Sequence, residues 1–149
     1  MFDLENVDKC LIIPLFWQGF PGRCAVVRLW MAMGGVFGFL TVAGGAFGAH
    51  ALKAHLTPER LTTFDTGTRY GQVHAVLLVV IALLAATKPS TALDVAGASI
   101  SLGIVLFTGS LWMLAVTQIR WFGPITPLGG LAFLVGWTAL IVAAVRWSP

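Results

Sequence analysis

Charged side chains come in bursts along this chain, separated by long uncharged stretches. No Asp, Glu, Lys or Arg occurs from Leu29 to Leu52, Tyr70 to Thr87, Val95 to Ile119 or Trp121 to Val145. Each stretch has 18–25 residues, and about 20 apolar residues rising 1.5 Å each cross a hydrocarbon core. Lipid leaves no partner for an open backbone, so such segments cross it as helices or closed barrels. A barrel strand alternates polar and apolar residues, whereas Val76–Ala86 reads VLLVVIALLAA without alternation. The pattern therefore predicts an all-α integral membrane protein with spans at about 30–51, 70–87, 95–118 and 125–146. Their expected arrangement is a compact antiparallel four-transmembrane-helix bundle.

Punctuation between the spans supports these boundaries. Lys88-Pro89-Ser90 stops the second span, because proline cannot continue a helix and lysine suits the headgroup level. Ser90, Thr91 and Asp94 are possible caps for the third. Gly123-Pro124 breaks the third connection, with Thr126-Pro127 expected as cap and first-turn proline of the fourth span. Arg146-Trp147 anchors the chain at the far interface. The two later connections are short enough to force antiparallel neighbours. The first, Lys53 to Arg69, is longer. Thr57-Pro58-Glu59-Arg60 reads as a helix start, Leu61 and Phe64 share a face, and Gly67 could end the helix. A short interfacial helix between spans one and two is the expectation.

Small residues predict where helices approach closely. Gly34, Gly38, Gly45 and Gly48 form a strip along the first span, with Gly44/Gly48 a second small-xxx-small pair. Gly109 in the third span and Gly129, Gly130 and Gly136 in the fourth extend the pattern. The second span, rich in Val, Leu, Ile and Ala, looks peripheral and lipid-facing.

Composition changes the picture little. Of 149 residues, 58% are hydrophobic and 10% charged, against about 25% charged in soluble domains. A net charge of +3 without a basic run argues against a nucleic-acid partner and fits loops resting on anionic headgroups, so membrane lipids are the expected partners. Membrane-protein partners or a homo-oligomer would also use the small-residue strips. Positive residues divide five to four between the two sides (Lys9, Arg23, Arg28, Lys88, Arg146 against Lys53, Arg60, Arg69, Arg120), a slight preference for both termini inside. Cys10 and Cys24 form no metal motif or disulfide framework and are expected as thiols. Residues 1–28 read as an N-terminal extension, either amphipathic or preceding a start at Val26, Val27 or Met31, and residues 29–149 as the membrane domain.

GAFGAHAL (Gly45–Leu52), Phe64-x-Thr66-Gly67-x-x-Tyr70-x-x-x-His74, LFTGSLW (Leu106–Trp112), TPLGG (Thr126–Gly130) and Gly136-Trp137 occur in order. Over about Gly35 to Arg146 the chain resembles the YgdD-type family of small membrane proteins. The resemblance implies a four-span protein of the bacterial plasma (inner) membrane and no known activity, substrate or catalytic residue. Trp112 stands where tyrosine is also usual, and the leading segment is extra relative to the family.

Candidate chemistry concentrates in His50, His55, Arg69, Tyr70 and His74. If the first two spans form a hairpin whose second helix starts near Tyr70, these residues meet at the bundle mouth. Tyr70 and His74, four apart, share a helix face. The blandest reading is a polar latch, with neutral imidazoles bonding to carbonyls and hydroxyls. A metal or haem would have two or three imidazoles but no HExxH, paired carboxylate or cysteine ligand, so no metal or cofactor is expected. A lipid headgroup, quinone or ion could use Arg69, Tyr70 and His74. Proton transport lacks an acid inside any span. Thr108-Gly109-Ser110 has no base in its span to make a nucleophile, and TPLGG has no preceding strand or lysine to make a phosphate loop. A non-enzymatic structural, accessory or partner-binding role leads; small-molecule, lipid or ion handling at the His/Tyr cluster is the alternative.

Overall fold

The computed structural model describes residues 21–147, so most of the proposed 1–28 extension lies outside the described residues. Among the described residues, four helices are long and apolar enough to cross a membrane. They are α1 (Pro21–His50), α2 (Pro58–Thr87), α3 (Thr91–Thr117) and α4 (Ile125–Val145). Short 3₁₀ turns at Leu52–Ala54 and Arg120–Phe122 lie in the first and third connections.

Sequence signals end these helices largely as expected. Ser90 caps α3, its hydroxyl accepting from the Leu93 N–H at 3.3 Å. Thr57 precedes Pro58 in the first turn of α2. The last turn of α3 closes on Gln118, which is left-handed at φ 61°, a conformation that usually falls to glycine or asparagine at this position. Thr126 lies inside the first turn of α4 instead of capping it, and Pro124 takes the cap position.

The interfacial helix does not form separately. The run beginning at Thr57-Pro58 continues without a break to Thr87, as the opening turns of α2. Gly67, expected to end that helix, lies buried within it. Its missing side chain serves packing: a Cβ there would stand 3.1 Å from Leu111 Cβ and 3.3 Å from the Thr108 carbonyl. The charges at Glu59, Arg60, Asp65 and Arg69 suggested a connection separate from the second span, but one continuous helix carries them. Asp65 and Arg69 pair one turn apart at 2.7 Å.

Packing runs α1 on α2, α2 on α3 and α3 on α4. The core is continuous, from Val27 and Trp30 through Leu78, Ile81, Leu93 and Ile100 to Phe133 and Ala143. α2 and α3 form its centre and bury a larger share of their spans than α1 or α4. The second span is therefore central, not peripheral. Its Leu78, Ile81 and Ala82 are fully buried and chemically no different from the exposed Val76 and Val80 on the same helix. When lipid is the solvent, apolar composition cannot separate core from surface.

Glycines set the register of α1 against α2. A Cβ at Gly34 would meet Val79 Cγ2 at 2.8 Å, at Gly45 Thr68 Cγ2 at 3.2 Å and at Gly48 Phe64 Cε1 at 3.0 Å. Contacts descend on α2 as they ascend on α1, the signature of an antiparallel pair. Gly129 and Gly136 seat α4 on α3 in the same way, against Phe107 and Ile100. Three expected packing glycines do not qualify. Gly38 has only Ala75 Cβ at 3.9 Å, Gly130 only Phe107 Cδ2 at 4.0 Å, and Gly109 nothing within 4 Å. Spacing in sequence cannot show which glycines of a strip face a neighbour. Cys24, expected as a thiol, is disulfide-bonded; a low cysteine count excludes a disulfide framework, not a single bond.

Candidate functional site

Because α2 starts at Pro58, Tyr70 and His74 lie well along the helix. His74 is about 24 Å from Pro58 and about 21 Å from Lys88 at 1.5 Å per residue. The packing register places His50 elsewhere. Gly48 lies against Phe64, whereas Thr41 lies against Gly71, so His50 is level with the opening turns of α2, roughly 18 Å above His74. His50 and His55 are exposed in or beside the first connection, and Arg69 is an exposed partner of Asp65. Of the five residues expected at one mouth, the structure brings together two: Tyr70 and His74.

His74 is buried and fully engaged. Its Nδ1 lies 2.7 Å from the Tyr70 carbonyl oxygen. A carbonyl can only accept, so Nδ1 carries the proton and Nε2 of the neutral ring is left to accept. Nε2 does so, from the Trp137 indole N–H at 3.3 Å. The imidazole also stacks on Phe133, with centroids 3.7 Å apart and planes 14° from parallel. Tyr70 packs on Phe107 at 4.7 Å. These rings fill the space between α2 and α4 that helix backbones do not close. The histidine thus ties α4 to α2, instead of pinning the connecting loop as a latch at the mouth would.

Higher along α2 a second polar cluster joins it to α3. The Trp112 indole N–H donates to Thr68 Oγ1 at 3.0 Å, and that hydroxyl donates to the Phe64 carbonyl at 3.0 Å. The Phe64 and Trp112 rings stack at 5.2 Å. Thr108 donates across to the Gly67 carbonyl at 3.0 Å. Ser110 pairs with Thr126 at 2.8 Å, linking α3 to the start of α4. The hydroxyls of Thr108 and Ser110 bond to their own turn and to neighbouring helices. Residues 104–108 form a π turn in α3. Such turns widen a helix locally and recur at functional positions; here the turn carries Phe107 onto Gly129 and Thr108 toward α2.

Sequence reasoning missed three participants. Arg60 reaches from α2 to the end of α3, its Nε and Nη2 donating to the carbonyls of Ala115 and Val116 at 2.7 and 2.8 Å. It fills part of the unsatisfied carbonyl set that every helix end leaves. Nothing local to Arg60 in sequence signals this, because the contact spans more than fifty residues. Gly67 and Gly71 form a small-xxx-small pair inside α2, where the sequence reading ends a helix at Gly67. A Cβ at Gly71 would stand 2.5 Å from Thr41 Cγ2 and 3.0 Å from Thr108 Oγ1; α1, α2 and α3 meet at this point.

Four spans, an interior held by hydrogen bonds between helices, and apolar outer faces define a small multi-pass membrane protein. Comparison with known proteins narrows this class. Residues 44–130 match the model of a family described as "Protein of unknown function (DUF423)", and the chain belongs to that family. It is similar to the UPF0382 membrane protein YwdK of Bacillus subtilis, 41% identical over 122 residues that cover 81% of this chain and 99% of the relative. A UPF0382 membrane protein of Staphylococcus epidermidis is 36% identical over 82% of this chain and 99% of its own length. The UPF0382 inner membrane protein YgdD of Escherichia coli is 34% identical over 80% and 91%. No solved structure matches. The resemblance drawn from the motifs therefore holds, and the protein is a multi-pass component of the bacterial plasma membrane.

Proposed function

We propose that the protein is a non-enzymatic component of the plasma membrane with a structural, accessory or partner-binding role. The observation that carries this reading is the state of His74. Both ring nitrogens serve bonds inside the fold, to Tyr70 and Trp137, so acid–base work or ligation would first break the α2–α4 tie. Thr68, Thr108 and Ser110 are likewise paired with protein groups. Partner binding would use the lipid-facing side of α1, where Phe39 and Phe47 are 73% and 61% exposed.

A photo-crosslinking residue at Phe39 or Phe47, in the native membrane, tests this role. The expected result is one dominant protein adduct, identified by mass spectrometry as a second copy of the chain or as another membrane protein. Adducts to lipid alone would remove the partner-binding reading. A visible absorption band, or metal in stoichiometric amount in the purified protein, would overturn the reading without cofactor.

One observation favours the alternative of small-molecule handling. Tyr70 and Trp137 flank His74 with 48% and 44% of their surface exposed, so an aromatic wall faces the lipid between α2 and α4. A flat hydrophobic ligand such as a quinone could stack there. Saturable quenching of tryptophan fluorescence by added quinone, lost in Trp137→Phe, would support it.

A further inference from the structure

On the outer side of the α3–α4 pair lies a groove of about 700 Å³, within the range of small-ligand sites. Its walls are apolar, with Val95 on α3 and Leu131, Leu134, Val135 and Val142 on α4, and Arg146 stands at its end. Arg146 follows the last turn of α4. Its guanidinium makes no ion pair or hydrogen bond among the described residues. Asp94, the acid in the first turn of α3, lines a different cleft with Val26, Pro89 and Ser90. From Arg146 to Leu131 the groove follows about 22 Å of helix, the length of a fatty acyl chain and somewhat more than one leaflet of a core about 30 Å thick.

We propose that this groove is a binding site for one acyl chain of an anionic phospholipid, whose phosphate group pairs with Arg146. A guanidinium presents paired N–H donors that match two phosphate oxygens, and basic positions between spans at the membrane surface select acidic headgroups. The apolar walls hold the chain without regard to headgroup, and Arg146 supplies the preference. Lys88 and Trp147 lie at the same end of the bundle, with the Lys88 ammonium 5.4 Å from the Trp147 ring. They belong to the aromatic–cationic belt of this leaflet, and Trp147 lines a separate cleft with Leu84, Leu93 and Leu140.

The test uses the full chain extracted from vesicles of equal parts phosphatidylglycerol and phosphatidylcholine, with retained lipid weighed by native mass spectrometry. Phosphatidylglycerol should be kept in preference. Arg146→Gln should reduce that preference about five-fold, the effect of one basic residue near the surface. Val135→Trp, placing an indole in the groove, should reduce retention of both lipids. Both positions face outward, so thermal melting of the variants should match the parent, and this melting shows that each variant is folded. Equal retention of the two lipids by the parent, or an undiminished preference in Arg146→Gln, overturns the proposal. So does a lipid-free dimer that Val135→Trp dissociates, since a second copy would then cover the groove.

Discussion

A Cβ at Gly129 would stand 2.4 Å from the backbone nitrogen of Phe107, whereas one at Gly109 would meet nothing within 4 Å. Backbone cannot move aside as a side-chain tip can, so Gly129→Ala should force α4 away from α3. We expect a loss of at least about 2 kcal/mol, in line with overpacking of a tight core. Gly109→Ala should be neutral or stabilising by up to about 1 kcal/mol, the helix-propensity gain. Reversible unfolding in mixed micelles would rank the two variants, and equal effects would show that the α3–α4 seam is not as described. His74 offers a second comparison. Trp137→Phe removes one interhelical hydrogen bond while keeping a ring, at a cost of about 0.6 kcal/mol, typical of such bonds in membrane proteins. His74→Ala removes that bond together with a buried ring stacked on Phe133 and should cost several-fold more. A double-mutant cycle between the two positions should show coupling; strict additivity would mean that the bond contributes nothing.

At the scale of the element, the instructive case is α2. Thr57-Pro58 was legible as a helix start, and Thr87-Lys88-Pro89 as its end. The continuity between them was hidden because Glu59, Arg60, Asp65 and Arg69 look like a connection. A helix can keep such charges at or above the headgroups and remain the same helix that crosses the bilayer. This continuity moves His74 away from His50 and dissolves the mouth cluster that hairpin reasoning had assembled. Arg60 then serves α3, and Arg60→Ala should fray its last turn. Hydrogen exchange of the amides near Ala115 should speed up while α4 is unaffected, with a loss of roughly 1.5–3 kcal/mol if the charged bonds are fully formed and less if water replaces them. At the same helix end, Gln118→Gly should raise stability by up to about 1 kcal/mol, since glycine takes the left-handed conformation without the strain of a side chain. An unchanged melting temperature would argue that Gln118 pays no strain there.

The whole molecule is a bundle of antiparallel spans with α2 and α3 at the centre and the outer faces of α1 and α4 exposed. Its sidedness follows from the spans. Single cysteines at Ala54 and Gln118 should react with an impermeant maleimide from one side of the membrane, and a cysteine at Ser90 from the other. Labelling of all three from one side would refute the topology. The polar groups of the family's motifs bond to one another between helices in the interior. Tyr70, His74, Thr108, Trp112 and Trp137 lie in those motifs, and here they join helices through hydrogen bonds and ring contacts.

The chain's own order determined the spans, their antiparallel sense and the family, because hydrophobic length, proline and glycine breaks and motif order are local properties that the bilayer reads directly. Tertiary structure alone decided which helix is central, which glycines are indispensable and which polar residues meet. In lipid those outcomes depend on the rotation and register of each helix against its neighbours, which side-chain shape sets and hydrophobicity does not. His74 and Arg60 show the difference. Both were visible as polar residues beside apolar spans, but only the packed helices place one against Trp137 and the other on the end of α3.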